Sequence, residues 1–211
     1  MFIRENLQSI PFTLSALCVG GAAVLLGATG AAAHVEFFEG STLPPPREEV
    51  LFNAPGLVLS GTTVQGATNQ TGGLIDFIGT EPLEATASGQ ARISAQDGGF
   101  TSLTVDPVGD FTFTGLGFNL FAADDGEVTI TALLSGGGTE SATFDLSGNG
   151  QNRFHLIATD GQLVSSVQIQ TTVDLEDIRQ VRINGLVIPE PGSLALVGIG
   201  SLLALRRRRN R

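Results

Sequence analysis

From Val50 onward, apolar residues recur at every second position in one short run after another, and glycine-containing turns separate the runs. A period of two places alternate side chains on opposite faces of a strand, so a chain patterned this way folds as β-sheet buried on one face. The clearest run is Glu127 to Leu134, where Val128, Ile130, Ala132 and Leu134 alternate with polar or small residues. Ala142, Phe144 and Leu146 repeat the pattern, as do Phe154, Leu156 and Ala158, then Val167 and Ile169. Ala91, Ile93 and Ala95 form a weaker set, and Leu103 and Val105 share a face in the next segment. The turns Asp97-Gly98-Gly99, Asp124-Asp125-Gly126, Gly136-Gly137-Gly138, Gly148-Asn149-Gly150 and Asp160-Gly161 supply the positive φ that tight hairpins need. Many short strands with glycine turns predict an all-β domain over residues 50–187: a β-sandwich, jelly-roll-like, of about nine or ten strands.

Two places break the pattern. Phe111 and Phe113 fall on odd positions, whereas Leu116, Phe118 and Leu120 fall on even ones. That change of face predicts a β-bulge or two separate strands, placed at Gly115 or Gly117. Leu175 to Val181 reads either as one helical turn or as a loop entering the last strand. Ahead of the domain, residues 34–49 contain Pro44-Pro45-Pro46 with acidic flanks and read as an extended lead-in.

Both ends differ from the middle. Residues 1–33 have Arg4 near the start, an apolar small-residue stretch from Phe12 to Ala28, and Ala31-Ala32-Ala33 as an A-x-A site. This is the layout of a secretory signal peptide, a helix removed by signal peptidase, with Ala31 and Ala33 as the small residues just before the cut between Ala33 and His34. Cys18 follows Leu17 where a lipobox needs a small residue, so lipoprotein processing is not expected. At the other end, Pro189-Glu190-Pro191 precedes the apolar run Ser193 to Leu205, followed by Arg206, Arg207, Arg208 and Arg209. As a helix, Ser193 to Leu205 is about 20 Å long at ~1.5 Å per residue, against a bilayer core of about 30 Å. The arginines snorkel to lengthen the span and hold the tail on the cytoplasmic side. Neither proline fits a helix interior, so this short transmembrane helix starts after them.

In that order, Pro-Glu-Pro, an apolar helix and an arginine cluster resemble the PEP-CTERM sorting signal of bacteria over residues 188–211. The resemblance implies export, a membrane-held precursor, and cleavage near Pro189-Glu190-Pro191 by an exosortase-type membrane protease. It also implies a mature form at the cell surface or in the extracellular matrix, associated with exopolysaccharide and biofilm. The stretch from "EEVLFNAPG" through "GNGQNRFHLIATDGQLVSSVQI" to "DIRQVRING" is similar to domains found in PEP-CTERM-tagged proteins, a likeness that supplies no catalytic residues. The same tail also reads as a plain membrane anchor, which likewise leaves the domain outside the cytoplasm.

Residues 34–191, up to the expected cut, carry five arginines, no lysine and twenty acidic residues, a net charge of −15 against −10 for the whole chain. A domain this acidic repels nucleic acid. It contains no cysteine, so disulfides and thiolate metal sites are excluded.

Catalytic chemistry finds little purchase. The histidines are His34, in the lead-in, and His155, which alternates with Phe154 and Leu156 and reads as a solvated strand residue. There is no G-x-S-x-G elbow, no lysine for a Schiff base, and no marked carboxylate pair. All 13 aromatic residues are phenylalanine, which removes the tryptophan and tyrosine platforms on which sugars stack. The expectation is a non-enzymatic exported protein without a cofactor. The alternative is a calcium-dependent carbohydrate-binding module, with Asp124, Asp125 and Glu127 as ligands around one turn, because calcium takes carboxylate and carbonyl oxygens from flexible loops. Asp174, Glu176 and Asp177 form a second acidic cluster, and Asn69-Gln70-Thr71 matches a glycosylation sequon.

Overall fold

The structure is a computed structural model and describes residues 34–40, 44, 45, 47–87, 91–148 and 150–187. The expected signal helix, its Ala31 and Ala33, the Pro189-Glu190-Pro191 motif, the following helix and Arg206 to Arg209 lie outside the described residues. Among the described residues no helix is long and apolar enough to cross a membrane.

The described chain is all-β, with eleven strands: nine lie wholly within residues 50–187, in line with the nine or ten expected there, and two start ahead of residue 50. They are β1 (Val35–Glu39), β2 (Glu48–Leu51), β3 (Ser60–Thr68), β4 (Leu74–Thr86), β5 (Arg92–Ala95) and β6 (Phe100–Pro107). Then follow β7 (Gly115–Ala122), β8 (Gly126–Leu134), β9 (Thr139–Leu146), β10 (Asn152–Ala158) and β11 (Val164–Asn184). Every pairing is antiparallel.

The 21-residue β11 organises the rest. Its first part, Val164–Thr171, lies between β8 and β6, in a layer that runs β9-β8-β11-β6-β4-β3. Its second part, Leu175–Asn184, pairs with β7 on one side and with β5 and β2 on the other, in a layer that continues through β10 to β1. The apolar residues of both layers form one core, including Phe77, Phe100, Phe113, Leu103, Leu116, Leu120, Ile130 and Leu156, all almost wholly buried. β4 changes layers as well: Ile75–Gly79 pairs with β6 and Leu83–Thr86 with β5. Pro82, which has no N–H to give a ladder, stands at that change.

Several sequence expectations are corrected here. Residues 34–49 are not merely a lead-in: β1 covers the edge of β10, and β2 bridges β11 and β3. Five- and four-residue strands, VEFFE and EEVL, leave too short a pattern to read. Leu175–Val181 is neither helix nor loop but strand. Its register slips between Leu175 and Asp177 and again between Arg179 and Arg182. Each slip moves the inward position by one, so Leu175, Ile178 and Val181 are all buried at a spacing of three. Gln180, with φ of 54°, sits in the second slip. Of the two alternatives at Gly115 or Gly117, the bulge is absent from the pairing with β10, where both glycines stand opposite Ile157 and His155, and the break between separately paired segments is found: Thr112 and Phe113 form isolated bridges and β7 begins at Gly115. The change of face falls instead at Thr114, between the Phe113–Val164 bridge and the start of β7.

One strained contact crosses the outer face of the first layer. Asp76 on β4 stands directly opposite Asp106 on β6, and Gln65 donates its Nε2–H to Asp76 Oδ1 at 2.8 Å. Partial burial first, and the Asp76 charge second, push the Asp106 carboxyl above its ordinary range. An acid raised in the folded state binds its proton more tightly there than in the unfolded chain. Its contribution to stability is therefore present at low pH and is lost as pH rises through the folded value. Asp106→Asn removes the like-charge opposition, so its melting temperature should exceed the parent's at pH 7 by about 1–3 °C. The difference should vanish below about pH 3, under the ordinary aspartate range, where the carboxyl is protonated in both states. Calorimetric scans at the two pH values check this, and an unchanged or lower melting temperature at pH 7 would contradict it.

Candidate functional site

At one end of the fold the β7–β8 turn, the loop after β9, the start of β10 and the end of β1 enclose an open cleft of about 770 Å³. Its wall is polar: Glu39, Asp125, Asp145, Gln151, Asn152 and Arg153, with Leu146 and Phe154 at the back. The loop is shaped by Asn152. Its Oδ1 accepts from Ser147 N–H at 2.8 Å, and its Nδ2 donates to the Ser147 and Leu120 carbonyls at 2.9 and 3.3 Å. Asp125 fastens the loop from the opposite wall, its Oδ1 accepting from Gly148 N–H at 2.8 Å. A side chain at Gly148 would put its Cβ 2.7 Å from the Asp124 backbone, so only glycine allows this approach.

Of the three carboxylates expected around the turn, only Asp125 lines the cleft. Asp124 is exposed, with its backbone packed on Gly148. Glu127 has entered β8, opposite Asp145, and its N–H is taken by Thr172 Oγ1 at 2.9 Å. Among the described residues no three His, Cys, Asp or Glu side chains are grouped to hold a metal ion. The second cluster divides too. Asp174 and Glu176 are exposed, whereas Asp177 is buried and takes hydrogen bonds from Arg179 Nε, at 2.6 Å, and Nη2. The Asp177 hydrogen bond holds the Arg179 guanidinium above its already high value.

His155 is not solvated. It is 8% exposed, its ring stacks on Phe38 at 4.9 Å, and its Nδ1 lies 3.1 Å from the Gly40 carbonyl. The alternation correctly sets it opposite Phe154 and Leu156, but on that outer face Phe38, its cross-strand neighbour on β1, lies over its ring. His34 is exposed, beside Glu36 at 3.3 Å and the Thr159 hydroxyl at 3.1 Å.

The sequon residues do structural work. Asn69 Oδ1 accepts from Glu49 N–H, and Glu48 accepts from the Thr71 backbone and hydroxyl and from Gln70 N–H. Burial raises the Glu48 carboxyl, but these bonds outweigh it and hold the group below its ordinary value. Sequence reasoning missed Asn152 and Arg153. Only the polar residues after Gly148-Asn149-Gly150 pointed to them.

No curated protein matches the chain. Among solved structures, two single-residue variants of a family 29 carbohydrate binding module are similar at 14% and 16% identity, over 74% of this chain and 90% of each of theirs, with TM-scores of 0.27 and 0.29. Another family 29 module is similar at 13% identity, over 72% of this chain and 87% of its own, with a TM-score of 0.26. Residues 187–209 match the family model described as the PEP-CTERM protein-sorting motif, and the chain therefore carries a PEP-CTERM sorting signal.

Proposed function

We propose that the chain is a non-enzymatic, exported surface or extracellular-matrix protein whose acidic β domain is its working part. An exosortase-type membrane protease would cut the precursor near Pro189-Glu190-Pro191, leaving the mature form outside the cell among exopolysaccharide, the setting of a biofilm. The sorting-motif match carries this reading. The motif begins at Val187, three residues after the end of β11. Val187 and Thr112 exchange backbone hydrogen bonds at 2.8 and 2.9 Å, so the first residue of the motif is tied to the domain. Proline suits neither a strand ladder nor a helix interior, so Pro189-Glu190-Pro191 is a sequence suited to cutting by a protease. We read the winding of the two layers as jelly-roll-like.

Replacing Pro189, Glu190 and Pro191 with alanines in the native cell should leave full-length protein in the membrane fraction. Immunoblots of membrane and medium check this, and unchanged release would sink the sorting reading.

A calcium-dependent carbohydrate-binding module is the second reading, favoured by the carboxylates of Asp125, Asp145 and Glu39 around one cleft. It predicts a rise in melting temperature at millimolar calcium that Asp125→Asn diminishes. A parent chain that melts at the same temperature with and without calcium would remove it.

A further inference from the structure

The domain is strongly acidic, yet three of its five arginines fall on one line across one sheet. Arg153 on β10 is paired with Asn119 on β7, Asn119 with Arg179 on β11, and Arg179 with Arg92 on β5. Directly opposed residues share a face. The neighbours Phe154, Phe118, Leu120, Ile178 and Ile93 all point into the core, so the four polar side chains lie together on the outer face. The row crosses three inter-strand steps, about 14 Å at ~4.8 Å each. Arg153 also lines the cleft, so the row begins at the cleft's rim.

Along the row itself three arginines stand against Asp177 and Glu176, and at its Arg153 end the cleft adds the carboxylates of Glu39, Asp125 and Asp145. The acidic residue built into the row is Asp177, bound by Arg179 and 4.0 Å from Arg92. Glu176, exposed, also acts on the Arg179 charge. Arg153 is exposed and bonded to the Gln151 side chain, and the Arg179 guanidinium lies 3.9 Å over the Phe121 ring. At the centre, Asn119 is only 2% exposed, and neither its Oδ1 nor its Nδ2 has a partner. A buried amide with both ends unsatisfied is costly, and a ligand that supplies a donor and an acceptor removes the cost.

We infer that this row, Arg153–Asn119–Arg179–Arg92, binds a carboxylated polysaccharide such as a polyuronate. The guanidinium fork takes a carboxylate on two parallel N–H bonds, and Arg179 already holds Asp177 that way. Sugar hydroxyls both donate and accept, which suits the two free ends of the Asn119 amide. Any polyanion meets the −15 charge of residues 34–191, but duplex DNA, with one charge per about 1.7 Å of axis, meets it far more strongly than a polymer with one carboxylate per sugar. The export reading decides only where the polymer is met; binding is a property of the folded chain and is tested apart from it.

The test uses the full-length chain in mild detergent, with Arg206, Arg207, Arg208 and Arg209 changed to glutamine so that the tail supplies no cations. Polygalacturonate fragments are titrated by calorimetry, with dextran of equal length and duplex DNA as controls. Polygalacturonate should bind, dextran should not, and duplex DNA should bind more weakly. Arg153→Gln should weaken polygalacturonate binding about tenfold or more, and Arg153→Lys should recover part of the loss. Asn119→Ala should weaken binding as well; Arg153 is exposed, so its variants decide the matter should Asn119→Ala not fold. Absence of polygalacturonate binding, equal binding of dextran, tighter binding of DNA, or unchanged affinity in Arg153→Gln would each overturn the inference.

Discussion

Every strand of this domain depends on how β11 shares its hydrogen bonds. A cysteine-free domain must hold itself together by core packing and a complete ladder, since buried N–H and C=O groups left unpaired cost as much as a lost hydrogen bond. At ~3.3 Å per residue, 21 residues would extend about 70 Å if straight, far more than one small sheet needs. The strand instead gives its first part to one layer and its second to the other. Between them the register breaks from Gln170 to Leu175, where the Thr171 hydroxyl donates to the Val173 carbonyl at 2.7 Å. The two register slips farther along turn its side chains without breaking pairing to β7. The core is continuous because one strand lines both halves of it.

This explains which parts of the fold were legible. β9 and β10 have regular partners, and β8 slips against β11 only at its end, opposite Val164 and Ser166, so period two survives and Val128, Ile130 and Phe154 point where the alternation puts them. β11 carries bulges, so its buried residues Leu175, Ile178 and Val181 imitate a helical period. β7 is buried on both faces from Gly115 to Leu120, and burial on both sides erases the contrast that alternation needs. For His155 the sequence supplied its face but not its cover, because β1 is paired to it from more than a hundred residues away.

The candidate site was less legible still. Asp-Asp-Gly marked the β7–β8 turn, and that turn does form one wall of the cleft. The opposite wall is set by Asn152, whose three bonds to Ser147 and Leu120 have no sequence signature. The arginine row is invisible in the sequence for a related reason. Arg92, Asn119, Arg153 and Arg179 are separated by 26 residues or more and become neighbours only through register. Composition correctly marked the domain as acidic, but an average cannot show where the few cations gather.

The central claim is that both ends of the chain are labels and that the β domain is the working molecule. Intact mass of the protein recovered from outside its native cell tests this most directly. The account predicts a species that begins at His34 and ends near Pro189-Glu190-Pro191. A recovered species that retains Arg206 to Arg211 would contradict it and make the tail a permanent anchor.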